Sequence, residues 1–541
     1  MSAQEDLDLD SLLSRLEDEL DATPRPAAPD EVRPREGPAP WDLVEGEARL
    51  QREEHRFGGA LVRIIEDAGT KSLHYEVTEP ELTPEELGML RFFEDTLTAT
   101  LKGYPDFDTI DAKRAFLEQA VTQIARDYRL KIAPETLERV TYYVERDFLG
   151  FGPIDVLMRD PMLEDVSCDG ADIPLFVFHR RLGSLRTNIR FHDDETLDSF
   201  ILRMAQASGK QITVASPVLD ATLPDRSRLQ ATLAREVTPR GSSFTIRRFR
   251  DRPVSPTELL SWGTVSPVIA AYYWLLVEEG RSHLLAGGTA SGKTTSLNAW
   301  SLFIPQEKKI VSIEDTREIN IPHDNWIAGV ARQGFGESHA GGKPSGTIDT
   351  FKLLEAALRQ RPEYILVGEV RGAEAFTLFQ AMATGHATYS TMHADSAYSA
   401  VRRLENPPIS VPRIMIAGLD CLSVQMQTRV NGKAVRRVKE VVEFLGTDNE
   451  SGELLTNTLF RWDPRTDRWV HGIKSYVIER IAEARGLQAS DINKEWQRRA
   501  VLLDSLQRAG VIDYREVARA VTAYRAFPEQ TYERIVGGEQ S

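Results

Sequence analysis

Short apolar runs alternate with segments of helical periodicity over residues 257–445. The apolar runs read HLLAG, KIVSIED, YILVGE and ATYSTMH, and each has the length of a buried strand. Strands that alternate with helices along a chain usually form a parallel sheet with helices on its faces. The pattern therefore predicts an α/β domain with a parallel sheet over this range.

Residues 56–249 mix helical and strand patterns and predict a separate N-terminal α+β domain. A helix is predicted to begin at Pro84 and to end at Gly103, with Thr83 as its N-cap and Glu86 closing a capping box. Further helices are predicted near residues 111–130, 134–148 and 193–208, and strands at residues 175–179 and 244–249.

Proline marks the end of that domain. Residues 250–256 read RDRPVSP and predict a hinge linker. The run VIAAYYWLLV at 268–277 is shorter than the ~20 residues that a membrane span needs, so it predicts a buried helix.

The C-terminal residues, 446–541, predict a small hairpin and helical region. Short strands are predicted around FRWDPRTDRWV. Helices are predicted near residues 474–485, 491–509 and 513–525, with Ser490 and Asp513 as caps of the last two.

Residues 1–55 predict a disordered acidic tail. Residues 1–45 hold 13 acidic and 4 basic side chains, and residues 24–40 include six prolines, a composition that cannot bury a core. Leucines at helical spacing before residue 22 predict one transient amphipathic helix. The tail is either a solvated segment or a docking peptide.

Composition narrows the class of protein. A formal net charge of -16 argues against a general nucleic-acid binder, which needs a clustered basic surface. The two cysteines, Cys168 and Cys421, are too few for a disulfide framework and favour a reducing compartment. The sequence shows no signal peptide and no direct membrane span, so it predicts a cytoplasmic protein that could dock on a membrane complex.

A phosphate-binding loop follows the run HLLAG. Residues 287–294 match G-x-x-x-x-G-K-[ST], in which backbone N–H groups surround a phosphate. Lys293 is predicted to reach the β- and γ-phosphates of ATP, and the Thr294 hydroxyl to ligate Mg²⁺. The predicted nucleotide-binding residues are Gly287, Gly288, Thr289, Ala290, Ser291, Gly292, Lys293, Thr294 and Thr295. The motif predicts a P-loop NTPase.

Hydrolysis also needs carboxylates near the metal and the attacking water. One apolar strand pattern ends in Glu314 and Asp315, and another ends in Glu369. Glu369 is predicted to lie near Mg²⁺, although Gly368 stands where an aspartate is usual. The alternative is that these acids only end their strands.

Two histidines, His386 and His393, flank the run ATYSTM. A metal site is disfavoured because no third ligand stands at suitable spacing. Sensing of a γ-phosphate or a polar structural role is favoured instead.

Together these motifs resemble the type II/type IV secretion ATPase superfamily. The resemblance rests on GGTASGKTT, IEDTREI, RPEYILVGEVRGAEAFTLFQAMATGHATYSTMHADS and FGPIDVLMRDPMLEDVSCDG, and covers residues 57–445. Residues 450–530 resemble the archaeal branch, which includes the archaellum motor. The resemblance implies a RecA-like P-loop core in a homo-hexamer that uses ATP and Mg²⁺ and docks on a membrane platform protein.

The resemblance also implies roles for individual acids and histidines. Glu314 would be the base that orients the attacking water, with Asp315 beside it. Glu369 would be the Walker B glutamate. His393 would face the γ-phosphate, with His386 supporting it.

Arginines of the N-terminal domain reach the nucleotide in this family. The segment LPDRSRLQATLAREVTPRGSSFTIRRF makes Arg228 and Arg240 the candidates, with Arg247 and Arg248 as weaker ones. Arg226 replaces a glycine that is usual in this turn, which leaves open whether residue 226 or 228 points at phosphate.

Three functions stay open at this point. The first is a ring motor in which ATP closes the two domains about the linker. The second is a nucleic-acid motor on the same core, which stimulation by single-stranded DNA would support. The third is a nucleotide-gated scaffold without turnover, which hydrolysis lost on Lys293→Ala would exclude.

Overall fold

A computed structural model describes residues 49–67, 69–100, 109–249, 252–332 and 346–537. The predicted amphipathic helix of the tail and the predicted helix end at Gly103 lie outside these ranges. The first two residues of the predicted linker, 250 and 251, also lie outside them.

Within the described residues, the N-terminal half forms one sheet of nine strands. Its strands are Arg49–Phe57 (β1), Ala60–Asp67 (β2), Leu73–Thr78 (β3), Leu163–Cys168 (β4), Phe176–His179 (β5), Gly183–Thr187 (β6), Val218–Thr222 (β7), Arg228–Thr232 (β8) and Ser243–Arg247 (β9). Their spatial order is β1-β2-β3-β6-β5-β4-β9-β8-β7. The sheet is mixed, because β3 and β6 pair in parallel whereas β4 pairs antiparallel with β5 and β9.

The disordered tail predicted for residues 1–55 extends too far along the chain. Residues 49–55 belong to β1, which pairs with β2 through the two-residue turn Gly58–Gly59. Gly58 has a φ of +60°, as such tight hairpins require. The strand reads RLQREEHRF, and this polar sequence gives no apolar alternation from which a strand could be predicted.

Helices of the N-terminal half lie close to their predicted positions. They are Pro84–Thr100 (α1), Ile110–Asp127 (α2), Pro134–Phe148 (α3), Asp155–Arg159 (α4) and Asp194–Ala207 (α5), with a 3-10 turn at Gly152–Ile154. The capping box at α1 is confirmed: the Thr83 N–H donates to Glu86 Oε2 at 2.9 Å, and the Glu86 N–H donates to Thr83 Oγ1 at 3.3 Å. Helices α1, α2 and α3 share a small core of their own.

A second sheet of nine strands lies in the C-terminal half, again within the described residues. Its strands are His283–Gly287 (β10), Ile310–Glu314 (β11), Trp326–Val330 (β12), Tyr364–Val367 (β13), Ala387–His393 (β14), Cys421–Val430 (β15), Lys433–Thr447 (β16), Leu454–Asp463 (β17) and Arg468–His471 (β18). Their order is β12-β11-β13-β14-β10-β15-β16-β17-β18.

This sheet is not parallel throughout, which corrects the prediction. The pairs from β12 to β15 are parallel, but β15, β16, β17 and β18 pair antiparallel in succession. The predicted boundary after residue 445 falls inside β16. The hairpin strands therefore extend the same sheet and form no separate layer.

The helices of the C-terminal half cover this sheet. They are Pro256–Ser261 (α6), Pro267–Glu278 (α7), Lys293–Ser301 (α8), Thr350–Leu358 (α9), Glu374–Ala383 (α10), Ala397–Glu405 (α11), Arg413–Ile416 (α12), Tyr476–Arg485 (α13), Ala489–Arg508 (α14), Tyr514–Ala526 (α15) and Pro528–Gly537 (α16). The buried helix predicted from VIAAYYWLLV is confirmed as α7. Asp513 caps α15 as predicted, whereas Ser490 lies inside α14.

The C-terminal helices share a core with the sheet. Trp274 of α7 stacks on Phe303 at 5.3 Å between ring centroids, and the Arg499 guanidinium of α14 lies 4.8 Å from the Trp274 ring. Ser255 and Thr257 donate hydrogen bonds to the carbonyls of Ile512 and Val511. The end of the predicted linker, at Ser255, and the start of α6, at Thr257, are thus fastened to the loop between α14 and α15.

Among the described residues, no helix is both long and apolar enough to cross a bilayer.

Candidate active site

The P-loop connects β10 to α8 at the carboxyl edge of the parallel strands. All five residues of β10 are buried, and the strand ends at Gly287. Helix α8 begins at Lys293, directly after Gly292, which has a φ of +92°. A strand, a glycine-rich turn and a helix N-terminus in this order form an anion-binding concavity.

Two glycines of the loop are required by close contacts. A Cβ at residue 287 would lie 2.4 Å from Ser291 Oγ and 2.6 Å from the Gln425 carbonyl oxygen. A Cβ at residue 292 would lie 3.2 Å from Arg436 Cδ, in addition to its positive φ. Glycine is therefore required at residue 287 for space and at residue 292 chiefly for its backbone conformation.

Lys293 folds back on this loop. Its Nζ donates to the carbonyls of Gly287 at 3.0 Å and of Gly288 at 2.9 Å. Burial lowers the pKa of Lys293, and the guanidinium groups of Arg247 and Arg371 act in the same direction, while Glu369 and Glu318 oppose them. The ammonium group therefore lies among both acids and arginines, where a phosphate would add a favourable negative charge.

Glu314 is the last residue of β11, and only 1% of it is exposed. Its Oε1 accepts hydrogen bonds from the N–H groups of Glu318 at 2.8 Å and of Ile319 at 2.7 Å. Its Oε2 is buried without a partner. Burial raises the pKa of Glu314 to about 7, against the opposing effect of the two backbone hydrogen bonds.

Gly368 follows the neighbouring strand, β13, and lies against Glu314. A Cβ at residue 368 would lie 3.2 Å from Glu314 Cγ. The Gly368 N–H donates to the Ile313 carbonyl at 2.9 Å, and its carbonyl accepts from Thr391 Oγ1. The glycine where an aspartate is usual thus leaves room for the Glu314 side chain.

Glu369 comes next and is paired with an arginine. Its Oε2 accepts from Arg371 Nε at 2.8 Å, and an Nη of Arg371 lies 3.7 Å from Asp315. Arg371 therefore joins the acids that follow β11 and β13.

The two histidines lie at opposite ends of β14. His393 pairs in register with Gly287 of the adjacent parallel strand, so it lies beside the start of the P-loop. His386 precedes β14, and its Nδ1 contacts Thr384 and the Ala381 carbonyl. The strand separates the two residues by roughly 20 Å, so His386 cannot support His393 at the site.

Two arginines of the N-terminal sheet face the acids of the C-terminal half. Arg228 and Arg247 are directly paired on β8 and β9. Arg247 Nη1 lies 3.9 Å from Glu318 Oε1, and Arg247 also lowers the pKa of Lys293. Arg228 binds Asp220 through two hydrogen bonds, at 2.7 and 3.2 Å, which raise its pKa; Glu318 and Asp315 raise it further.

The remaining candidate arginines lie elsewhere. Arg240 is exposed in the loop before β9, so roughly 13 Å of strand separates it from Arg247. Arg226 has a φ of +71° and lies 5.6 Å from the Phe249 ring. Arg248 donates to the carbonyls of Asp160 and Leu163 within its own half.

Thr294 and Glu369 are the groups that suit Mg²⁺. Thr294 is half-buried in the first turn of α8, and Glu369 follows β13 at the same edge. One carboxylate and one hydroxyl, completed by phosphate oxygens and water, is a common magnesium environment. Within the described ranges, no group of three or more His, Cys, Asp or Glu residues could hold a metal by itself.

Three residues of this site were not predicted from the sequence: Glu318, Arg371 and Arg436. Arg371 follows Glu369 by two residues, so the predicted strand end gave a usable signal for it. Arg436 donates from Nε to the Ala290 carbonyl at 2.8 Å. It lies 143 residues after Lys293 in the sequence. Only the pairing of β15 with β16 brings it to the loop.

The site is therefore a P-loop flanked by His393, by the acids Glu314, Asp315, Glu318 and Glu369, and by the arginines Arg228, Arg247, Arg371 and Arg436. A profile of the family described as Type II/IV secretion system protein matches residues 148–452. The chain belongs to the type II/IV secretion system ATPase family.

Two proteins and one solved structure are among those similar to this secretion ATPase. Uncharacterized protein MJ0900 of Methanocaldococcus jannaschii is 37% identical over 486 residues, which cover 89% of this chain and 84% of that protein. Type IV secretion system protein PtlH of Bordetella pertussis is 32% identical over 272 residues, covering 44% and 78%. The X-ray structure of the Legionella pneumophila ATPase DotB is 16% identical, covers 76% of this chain and 97% of that one, and has a TM-score of 0.39.

Proposed function

We propose that this secretion ATPase is a cytoplasmic homo-hexameric motor with a RecA-like core. It hydrolyses ATP to power the assembly, secretion or rotation of a type IV pilus-like or archaellum filament, and it acts on that load through a membrane platform protein. The observation that carries the proposal is the convergence of both halves of the chain on the P-loop. Lys293, Glu314, Glu369 and His393 come from the C-terminal sheet, and Arg247 comes from the N-terminal sheet.

Binding begins at the P-loop. The loop N–H groups and the α8 N-terminus receive the phosphates, and the Lys293 ammonium moves from the carbonyls of Gly287 and Gly288 to phosphate oxygens. Thr294 and Glu369 would hold Mg²⁺, which neutralises charge on the phosphates when bound. Arg371 has to release Glu369 for this, because its guanidinium occupies Glu369 Oε2.

Glu314 is the residue suited to orient the attacking water. The two backbone N–H groups fix Oε1, which leaves the buried Oε2 as the acceptor for a water proton. A pKa of about 7 gives a base that is partly ionised at neutral pH and still able to accept a proton. His393, beside Gly287, is placed to contact the terminal phosphate.

The arginines provide the coupling to motion. Arg228 and Arg247 belong to the N-terminal sheet, whereas the phosphates bind to the C-terminal one. A nucleotide touched by both halves binds the closed arrangement better than the open one, which is the condition for ATP to drive closure about residues 250–256.

The division of the chain into an N-terminal unit, which begins with β1, and a C-terminal unit, which includes all of β16, remains part of this proposal. The test of the hinge is the distance between probes on the two halves, with and without a non-hydrolysable ATP analogue. Unchanged separation would contradict it.

The proposed hexamer and the proposed secretion role rest on the family. PtlH is by its name a type IV secretion system protein, and we carry a secretion role over to this chain. Sizing by light scattering, with and without nucleotide, tests the ring: the proposal expects the mass of six chains.

ATP turnover tests the proposal most simply. Wild type is expected to hydrolyse ATP and Lys293→Ala to lose both binding and turnover, because the ammonium group lies on the loop, at the Gly287 and Gly288 carbonyls, where it can reach bound phosphates. Lys494→Ala is the matched control, since Lys494 lies on α14 with its side chain 79% exposed. Turnover by Lys293→Ala equal to wild type would overturn the assignment of the site. Stimulation by single-stranded DNA would favour the nucleic-acid motor instead.

A further inference from the structure

Arg436 of β16 joins the P-loop to the N-terminal sheet. Its Nε donates to the Ala290 carbonyl at 2.8 Å, and its Cδ would lie 3.2 Å from a Cβ at residue 292. On the other side, its Nη2 lies 3.6 Å from Glu164 Oε2 of β4. One guanidinium therefore contacts the phosphate loop and an acid of the other half of the chain.

Glu164 is directed towards Arg436 by an irregularity of β4. Leu163 pairs with His179 and Asp165 pairs with Phe178, so Glu164 is the extra residue of a bulge. Bulges redirect side chains and are frequent beside functional sites. The backbone carbonyl of Glu164 accepts from the Arg248 N–H at 2.9 Å, which fixes the bulge.

The contact at Ala290 affects the geometry of the loop. A peptide group is planar, and its C=O and N–H point in opposite directions. Because the Ala290 carbonyl points to Arg436, the N–H of the same peptide group, which belongs to Ser291, points away from Arg436. Ala290 also has a φ of +57°, an unfavourable backbone conformation for alanine that persists only where surrounding contacts hold it.

Gln425 adds an unsatisfied polar side chain next to the loop. Both its amide atoms are buried without a partner, and its Oε1 would lie 3.6 Å from a Cβ at Gly292. Two polar side chains on adjacent strands, Gln425 of β15 and Arg436 of β16, therefore lie next to residues 290–292.

We propose that Arg436 is a positioning residue that holds the P-loop in its phosphate-binding conformation, and that Glu164 makes this conformation depend on contact with the N-terminal sheet. The inference rests on the proposed nucleotide binding and deepens it. When the two halves separate, the ion pair is lost, Arg436 is no longer aligned, and the loop releases nucleotide more readily.

The test is the dissociation constant of a fluorescent ADP analogue, with the fold of each variant checked by circular dichroism. Arg436→Ala is expected to raise this constant about tenfold, the value of a lost hydrogen bond to a charged group. Arg436→Lys is expected to lie between Arg436→Ala and wild type, because an ammonium can still donate to the carbonyl but cannot hold both partners. Arg461→Ala, at an exposed arginine of the adjacent strand β17, is the control.

Glu164→Gln tests the link to the N-terminal sheet. It is expected to raise the dissociation constant about threefold in the wild-type background, as a partly buried ion pair of this kind allows. In the Arg436→Ala background it is expected to have no effect.

Three outcomes would contradict these expectations. A dissociation constant within twofold of wild type for Arg436→Ala overturns the positioning role. Equal effects of Glu164→Gln in both backgrounds overturn the link between the two halves. A wild-type protein that does not bind the analogue overturns the proposed function, and this inference with it.

Discussion

Gly368 lies against Glu314, and a Cβ at residue 368 would lie 3.2 Å from Glu314 Cγ. The φ of Gly368 is not in the left-handed region, so a side chain there would act through this contact and not through backbone strain. The glycine is therefore what allows the buried carboxylate to lie at the end of β11.

Gly368→Ala is expected to displace Glu314 and to lower kcat at least tenfold, with KM for ATP little changed. An overpacked contact of this kind costs about 1–3 kcal/mol, and moving a catalytic base reduces its rate directly. Steady-state ATPase assays measure both constants. Gly88→Ala is the matched control, because a Cβ at residue 88 on α1 meets nothing within 4 Å. A normal kcat for Gly368→Ala would show that Glu314 tolerates the methyl group.

The pKa of Glu314 predicts a dependence of stability on pH. Its folded value of about 7 lies above its ordinary value of 4.5 because of burial. Glu314 therefore makes its full contribution to the free energy of unfolding below pH 4.5. That contribution is lost as the pH rises from 4.5 through 7, and the total loss is about 3 kcal/mol. Glu314→Gln, which stays neutral, should raise Tm relative to wild type at pH 8.5 and raise it much less at pH 5. Differential scanning fluorimetry without nucleotide measures this, and equal Tm differences at both pH values would contradict it.

Arg247 and Arg240 should differ in their effect on turnover. Arg247 lies beside Glu318 and lowers the pKa of Lys293, whereas Arg240 lies at the other end of β9. Arg247→Ala is expected to lower kcat about 10²-fold, less than the ~10³–10⁵ of arginine fingers because Arg228 remains. Arg240→Ala is expected to leave kcat within about threefold of wild type, as for a surface charge. A larger loss of kcat for Arg240→Ala than for Arg247→Ala would assign the arginine finger to Arg240, in the loop before β9.

The C-terminal helices should be essential for the fold of the ATPase core. Arg499 of α14 donates to Glu278 at 2.7 Å and to Glu495 at 2.8 Å, and 5% of its side chain is exposed. Arg499→Ala leaves Glu278 of α7 buried without this partner, which destabilises by about 3–5 kcal/mol. Thermal unfolding measures the loss. Arg508→Ala on the same helix is the control, because the Arg508 side chain is 67% exposed. Equal Tm values for the two variants would show that α14 is not part of this core.

Local signals in the sequence were sufficient for many elements. The capping box at Thr83 and Glu86, the buried helix α7 and the cap at Asp513 depend on residues within a few positions of each other, and all three are confirmed. The strand, turn and helix around Lys293 are likewise local. Strand β1 was missed because its sequence is polar, and Ser490 was misplaced because α14 begins at Ala489.

The separation of His386 from His393 follows from the predicted strand between them, and that of Arg240 from Arg247 follows in the same way from β9. The contact of Arg436 with the P-loop could not be predicted. Arg436 reaches Ala290 only through the pairing of β10, β15 and β16. This relation follows from tertiary packing, for which a single sequence gives no local pattern.

The central claim is that Glu314 activates water at a site that binds ATP through the P-loop. Its most direct test is a single-turnover measurement on wild type and Glu314→Gln, with nucleotide binding followed in the same samples. Both proteins are expected to bind ATP with similar affinity, and Glu314→Gln is expected to hydrolyse it at least ~10²-fold more slowly. Hydrolysis by Glu314→Gln at the wild-type rate would contradict the account and would make Glu369 the leading candidate for the base.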